Sequence, residues 1–322
     1  MDELVTGIES VMKNLEDELI RQIKSHVPVA FEIGAHILNS GGKRIRPVLT
    51  VVCARLGGYT GWDAVRLSGA IECIHTATLL HDDVVDKADT RRGLPAANTV
   101  WSNEMCVLGG DFILAKAFST LTDLGNQTIL RIVSRATEKL AEGELLQMAN
   151  IGKMDLSEED YLLVIEDKTA VLMETACRGG AILGSLDGED QEALAAFGYN
   201  LGMAFQMTDD VIDYRSDKEV MGKNPGKDVE EGKLTLPLIL ALKKAEPEEK
   251  RRVESLLLSK KLAEGDLLWI REFLERRGGM AETLVKSKAY VQRAIDSLDR
   301  FPDSEEKRAL IGIAHKVLHR TH

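Results

Sequence analysis

The side chains in this chain most able to do chemistry are two runs of aspartate. Leu80-His81-Asp82-Asp83-Val84-Val85-Asp86 and Gln206-Met207-Thr208-Asp209-Asp210-Val211-Ile212-Asp213 both carry the pattern D-D-x-x-D. On a helix, residues four apart stack on one face, which holds Asp82 with Asp86, and Asp209 with Asp213, about 5–6 Å from each other. Like charges at that spacing destabilise a helix, and aspartate is a mediocre helix former. A hard divalent cation reverses the sign, because carboxylate oxygens are the ligands that magnesium takes. Leu79, Leu80, Phe205 and Ile212 flank the acids, and carboxylates set among apolar side chains need a compensating charge. One D-D-x-x-D arises by chance on the order of 0.1 times in a chain of this length, so two copies point to a function.

Magnesium keeps part of its shell for water and phosphate oxygens, and phosphate needs donors. Basic residues gather at Gly41-Gly42-Lys43-Arg44-Ile45-Arg46-Pro47, at Arg91-Arg92, and at Lys223, Lys227 and Lys233. Arginine grips phosphate with a planar fork and lysine as a point charge, a mixture that suits a diphosphate. Taken singly, each is an ordinary solvated surface charge. In the order basic, acidic, basic, acidic, basic they read as a site. Lys168-Thr169 sits in a Glu/Lys-rich stretch and is not singled out by its own surroundings.

The elements that must position these groups are helices. No proline occurs between Pro95 and Pro225, and apolar residues recur there at three- and four-residue spacing. The spacing predicts helices over about 2–24, 28–39, 44–57, 62–87, 100–122, 127–150, 158–183, 189–215, 234–244, 247–259, 264–276, 280–298 and 304–319. Strand signals are nearly absent. Breaks are expected at Gly41-Gly42, Gly57-Gly58, Arg92-Gly93-Leu94-Pro95, Gly152, Gly188, Met221 to Gly232 and Gly278-Gly279. The fold class is therefore all-α, and residues 1–322 read as a single domain with no repeat and no low-complexity linker.

Composition bounds the function. Of 322 residues, 44% are apolar and 29% charged, which suits a globular protein, and 41 basic against 52 acidic side chains give a formal charge of −11. Nucleic acid is a poor partner for that balance, so an anionic ligand must be held by a local basic cluster. The N-terminal MDELVTGIESVMKN lacks the basic start of a secretory signal, and no apolar run approaches the roughly 18 residues of a membrane span. A cytoplasmic protein without a transmembrane segment is expected. Cys53, Cys73, Cys106 and Cys177 form no C-x-x-C pair, so buried reduced thiols are expected rather than zinc or disulfides.

With these motifs in order, the chain resembles the trans-isoprenyl diphosphate synthases, the polyprenyl synthetase family, and within it the bacterial octaprenyl-type long-chain enzymes. The resemblance runs through GGKRIRP, HDDVVDKADTRRG, Gly110-Asp111-Phe112, EGELLQ at Glu142 to Gln147, Asp167-Lys168-Thr169, FQMTDDVIDY and GKNPGKDVEEGKLTLP. It implies a homodimer of helical bundles, each of about 10–13 helices around a central cavity of isoprenoid synthase type, whose facing helices carry the aspartates. It also implies magnesium-assisted ionisation of an allylic diphosphate such as farnesyl diphosphate, attack by isopentenyl diphosphate, and loss of a proton, with three Mg2+ ions per site once substrate is bound. Matched residue by residue, Asp82, Asp86 and Asp209 would be metal ligands supported by Asp83, Asp210 and Asp213. Arg91, Lys168, Lys223 and Lys233 would hold the allylic diphosphate. Lys43, Arg46, His75 and Arg92 would hold isopentenyl diphosphate, and Thr169 and Gln206 would stabilise the cation with oxygen dipoles.

Chain length is expected to be set on the helix face below Asp82, where Thr78 and Ala77 stand four and five positions earlier. Both are small, which leaves room for a long all-trans product of the kind used as a quinone side chain. The alternatives are a short-chain farnesyl or geranylgeranyl synthase and a non-catalytic regulatory subunit of a prenyl synthase. The second would be expected to have lost aspartates or lysines that this chain keeps. A di-iron bundle would need paired Glu-x-x-His motifs, and only Glu72-Cys73-Ile74-His75 has that spacing.

Overall fold

The computed structural model describes residues 14–215, 226–259 and 261–318. Helix accounts for 77% of it. After a helical stretch over residues 14–22 come α1 (Pro28–Asn39), α2 (Ile45–Leu56) and α3 (Asp63–Val85). A two-stranded ribbon follows, β1 (Thr90–Arg91) with β2 (Leu94–Pro95), then α4 (Ala97–Val100), α5 (Asn103–Asp123), α6 (Gln127–Ala149) and α7 (Glu158–Ile165). A π-helical segment (Glu166–Ala170) leads into α8 (Val171–Leu183) and α9 (Gly188–Arg215). The rest comprises α10 (Lys227–Glu230), α11 (Leu236–Leu242), α12 (Pro247–Leu257), α13 (Glu264–Arg277), α14 (Gly279–Asp296) and α15 (Glu305–Leu318). The expected all-α class holds. The helix count exceeds the expected 10–13 because two single-turn helices, α4 and α10, are too short to show a period, and because the stretch foreseen as one helix over 158–183 is interrupted.

Local signals explain where the helices begin. Ser102 accepts from the Met105 amide to start α5, and Ser157 with Asp160 forms a capping box at α7. Pro28 and Pro247 occupy first-turn positions where a missing N–H does no harm. Gly278, at φ 74°, closes α13 and releases the chain into α14.

The chain divides into two compact units. The first comprises residues up to 137, 172–198 and 300–310. In it α3 lies along α5, burying Leu67, Ile71, Ile74 and Leu80 from one helix and Ile113, Ala117 and Leu121 from the other. Close approach depends on missing side chains. A Cβ on Gly110 would sit 2.3 Å from His81 Nε2, and one on Gly180 of α8 would sit 2.3 Å from the Thr50 carbonyl of α2. Arg44, in the left-handed region at φ 47°, caps α2 and is 6% exposed. It donates to Glu72 at 2.9 Å, Glu16 at 3.0 Å and the Leu38 carbonyl at 2.8 Å. All four cysteines are buried and unbridged.

The second unit comprises residues 138–171, 199–299 and 311 onward. Its centre is α11, every residue of which is buried, packed against α7, α13 and α14. The run Leu236-Pro237-Leu238-Ile239-Leu240-Ala241-Leu242 is apolar on every side because it meets protein on every side.

One expectation needs qualifying. Among the described residues α5 is long and apolar enough to cross a membrane by length and composition, with mean hydropathy 1.3 over its window. No uninterrupted apolar run marks it in the sequence because Glu104, Asp111 and Lys116 divide it. One face of α5 packs against α3, while Val107 and Leu108 remain exposed.

Because the α2–α8 crossing has no space for a methyl group, Gly180→Ala is expected to destabilise the protein by about 1–3 kcal/mol. Urea denaturation would measure it, and an unchanged midpoint would show that the two helices part easily.

Candidate active site

In the first unit, α3 delivers the first acidic cluster at its C-terminal end. Asp82 and Asp86 are half-buried and one turn apart, and the Asp86 amide closes the helix on the Asp82 carbonyl at 2.8 Å. Asp83 points the other way: it is 1% exposed and accepts from Arg91 Nε at 2.6 Å. The chain then reverses through β1 and β2, whose two-residue turn places Arg92 at φ 52° and Gly93 at φ 80°. Two successive left-handed residues are the geometry of a type I′ hairpin. That turn carries Arg92 over the Gly41-Gly42 loop, where a Cβ on Gly42 would lie 2.8 Å from Arg92 Nη1.

The basic groups of the first two motifs therefore meet around His75 of α3. Burial, and then the charges of Arg46, Arg92, Arg91 and Arg44, hold His75 well below the usual imidazole range. His75 is thus a neutral ring in a positive cluster, an arrangement that concentrates donors for an anion. Arg46 is half-buried in the first turn of α2, and Lys43 is exposed just before it. Arg44, from the same motif, is spent on Glu72 and the fold. That pairing also removes Glu72 from the di-iron alternative. Ala77 is 1% exposed and Thr78 half-buried, its hydroxyl donating to the His75 carbonyl at 2.7 Å.

In the second unit the π segment contains Asp167-Lys168-Thr169. Widening a helix by one residue re-aims the side chains that follow, and two glycines make room for the bulge. A Cβ on Gly143 of α6 would lie 2.9 Å from the Lys168 amide nitrogen, and one on Gly202 of α9 would lie 2.5 Å from Ala170 Cα. Sequence spacing did not reveal this interruption, because a single π turn is too short to set a period of its own. Lys168 Nζ rests on Gln147 Oε1 at 2.7 Å and Glu144 Oε2 at 2.5 Å. Lys233 Nζ rests on Glu231 at 2.7 Å. Lys223 lies outside the described residues.

The second acidic cluster is on α9. Asp209 and Asp213 are half-buried, while Asp210 is 3% exposed and accepts from Tyr161 Oη at 2.5 Å and Gln206 Nε2 at 2.9 Å. Thr169 Oγ1 donates to Gln206 Oε1 at 2.9 Å. Asp213 Oδ2 accepts from the Asp228 amide at 3.2 Å, which brings the Asp228 carboxylate into the cluster. Burial, and then the Asp228 charge, push Asp210 up to about 8. Burial, Asp228 and Asp210 raise Asp213 well above the carboxylate range. A cavity of about 130 Å³ opens here, lined among others by Gln147, Asn150, Tyr161, Lys168, Asp210 and Lys233.

Sequence reasoning had missed Tyr161, Glu144, Gln147 and Asp228 as members of the site. Asp228 sits in the basic stretch that drew attention for its lysines, and its partner Asp213 is fifteen residues away, a separation no helical period reveals. Gln147 belongs to the EGELLQ motif, which carried the resemblance without an assigned role.

The polyprenyl synthetase family pattern matches residues 27–274. The chain belongs to the polyprenyl synthetase family. It is 40% identical to octaprenyl diphosphate synthase of Escherichia coli over 96% of this chain and 95% of that one. It is 37% identical to the geranyl-diphosphate-specific all-trans-nonaprenyl-diphosphate synthase of Rhodobacter capsulatus over 94% and 93%. The crystal structure of a Caulobacter crescentus polyprenyl synthase complexed with calcium and isoprenyl diphosphate superposes with a TM-score of 0.95. It is 38% identical, covering 100% of this chain and 98% of that one. As a member of this family the chain is a prenyltransferase acting on isoprenyl diphosphates.

Polyprenyl synthetases use magnesium, and the donor set here fits it. Asp210, Asp213 and Asp228 crowd one another with more negative charge than the cluster balances, as the raised Asp210 and Asp213 record. Among the described residues no three His, Cys, Asp or Glu side chains form a ready metal cage. Magnesium does not require one, because it is commonly held by one or two carboxylates and a substrate's phosphates.

Asp210 binds its proton more tightly folded than unfolded, so stability falls as pH rises from about 4 through about 8. Asp210→Asn removes that dependence. In buffer without divalent cations the variant is expected to gain on the parent by about 2–4 °C in Tm between pH 5 and pH 8.5. A Tm difference independent of pH would show that the carboxylate is not strained.

Proposed function

We propose that this chain builds a long all-trans polyprenyl diphosphate of octaprenyl type, by repeated condensation of isopentenyl diphosphate with an allylic diphosphate such as farnesyl diphosphate. The reading rests on one observation above all: each acidic helix is accompanied, within its own unit, by cations that a neighbouring element brings to it. Around α3 these are Arg46, Arg91 and Arg92. Around α9 they are Lys168 and Lys233.

In this reading Asp82, Asp86 and Asp209 would hold magnesium, three ions when substrate is present. The bound ions supply neutralisation of the charge that grows on the departing diphosphate. Lys168, Lys233, Lys223 and Arg91 grip the allylic diphosphate, and binding draws Lys168 away from Glu144 and Gln147 and Lys233 away from Glu231. Lys43, Arg46, Arg92 and the neutral His75 hold isopentenyl diphosphate so that its double bond meets the allylic carbon. Thr169 and Gln206 turn oxygens toward the carbon that becomes positive. The released diphosphate takes the proton lost after bond formation, so no side chain need act as base. Ala77 and Thr78 leave the path of the growing tail open. The chain acts as a single polyprenyl synthetase domain in a cytoplasmic homodimer, for which the exposed Val107 and Leu108 of α5 supply apolar contact area. The product is suited to anchoring a quinone.

Incubation with magnesium, isopentenyl diphosphate and farnesyl diphosphate is expected to give products well beyond twenty carbons by reversed-phase chromatography. No condensation would reject the reading, and a product arrested at fifteen or twenty carbons would leave the short-chain alternative. Ala77→Phe is expected to shorten the product while sparing the first condensation; an unchanged product distribution would remove Ala77 from the path.

A further inference from the structure

Tyr161 has no part in the chemistry so far, yet its phenol is 4% exposed and is committed to the second acidic cluster. It stands on α7, seven residues before Lys168. Its hydroxyl donates to Asp210 Oδ2 at 2.5 Å, and the other oxygen of that carboxylate receives Gln206 Nε2 at 2.9 Å. With its nitrogen turned to Asp210, Gln206 must turn its oxygen the other way, and that oxygen receives Thr169 Oγ1 at 2.9 Å. The four side chains make one directed chain, with two rungs between the α7–π helix and α9 and a link along α9.

Direction is the functional content of that chain. A threonine hydroxyl has one proton, and here Gln206 Oε1 takes it. What Thr169 shows to the rest of the cavity is therefore lone pairs, a partial negative charge suited to a carbon turning cationic. An amide or hydroxyl can pack equally well the other way round. Were Gln206 flipped, its NH2 would donate to Thr169, whose proton would then face the cavity and oppose the developing charge. The flip is blocked while the Asp210 carboxylate, in its ionised form, holds a fixed acceptor toward Gln206. A carboxylate gripped by one donor can swing about its Cβ–Cγ bond, and one gripped at both oxygens cannot. Tyr161, Thr169, Gln206 and Asp210 all line the same cavity as Lys168 and Lys233, which places the end of the chain beside the expected diphosphate anchors.

We propose that Tyr161 is a positioning residue for the ionisation step: through Asp210 and Gln206 it fixes the Thr169 hydroxyl with its lone pairs toward the allylic carbon. The proposal rests on the prenyl-transfer reading above and adds a residue and a role to it.

The test is a double-mutant cycle read in single turnover, with rapid quench to isolate the first condensation from product release. Tyr161→Phe keeps the ring and removes the donor. It is expected to slow that condensation about 10-fold, leave the KM of both diphosphates within about 2-fold, and leave Tm nearly unchanged. Thr169→Val removes the end of the chain, and adding Tyr161→Phe to it is expected to change the rate by less than about 2-fold, because the two act as one unit. Losses that multiply would overturn the proposal, as would an unimpaired Tyr161→Phe. Should Tyr161→Phe lower Tm substantially, the cycle of Gln206→Met with Thr169→Val breaks the same chain at its middle and carries the same two outcomes. An inactive parent protein would overturn the proposed function and this inference with it. An active parent with an additive cycle would overturn this inference alone.

Discussion

The structure is organised around carboxylates that the fold places closer together, and further from water, than their charges allow. Burial and the Asp228 charge raise the proton affinity of Asp210 and Asp213, and Asp82 and Asp86 share a helix face. Crowding carboxylates together is costly to a fold, because burial and neighbouring like charge both disfavour the ionised form. Keeping them makes sense where a cation and a polyanion arrive to complete the charge balance. On the proposed reading, the site is half of an electrostatic pair whose other half is the substrate complex.

That constraint sorts the remaining charged residues into two kinds. Arg44 and Glu72 neutralise each other in the interior and hold α2 to α3. That pair is complete without a ligand. Lys168 on Glu144 and Lys233 on Glu231 are different. They are half-buried lysines on local acids, contacts that a diphosphate with several charged oxygens can outcompete. Two arginines two residues apart, Arg44 and Arg46, differ in burial although the sequence presents them as one basic motif: Arg44 is buried and Arg46 half-buried. The backbone decides: Arg44 is the left-handed residue before α2 and its side chain turns inward, whereas Arg46 lies in the first turn.

The π turn at Asp167-Lys168-Thr169 sets Thr169 on Gln206 and Lys168 on Gln147, and Gly143 and Gly202 are the residues that let α6 and α9 close on it. Widened helical turns are uncommon because they weaken backbone hydrogen bonding. This one persists because side-chain bonds to α9 and close packing support it from two sides.

Helical class, the approximate limits of most helices, and the two acid clusters with their accompanying cations were legible from spacing, because each is a property of residues within one or two turns. The same local rules could not separate Arg44 from Arg46, foresee the type I′ turn that lifts Arg92 over Gly42, or notice that Asp228 joins Asp213. Nor could they see Tyr161, an apolar-looking position on a buried helix face until its hydroxyl meets Asp210. The sequence by itself determined which groups exist and which of them share a face, since helical geometry acts over a few residues. Only the tertiary structure decided which of these charges are buried and which partners they meet, because burial and partnership depend on segments far apart in the chain.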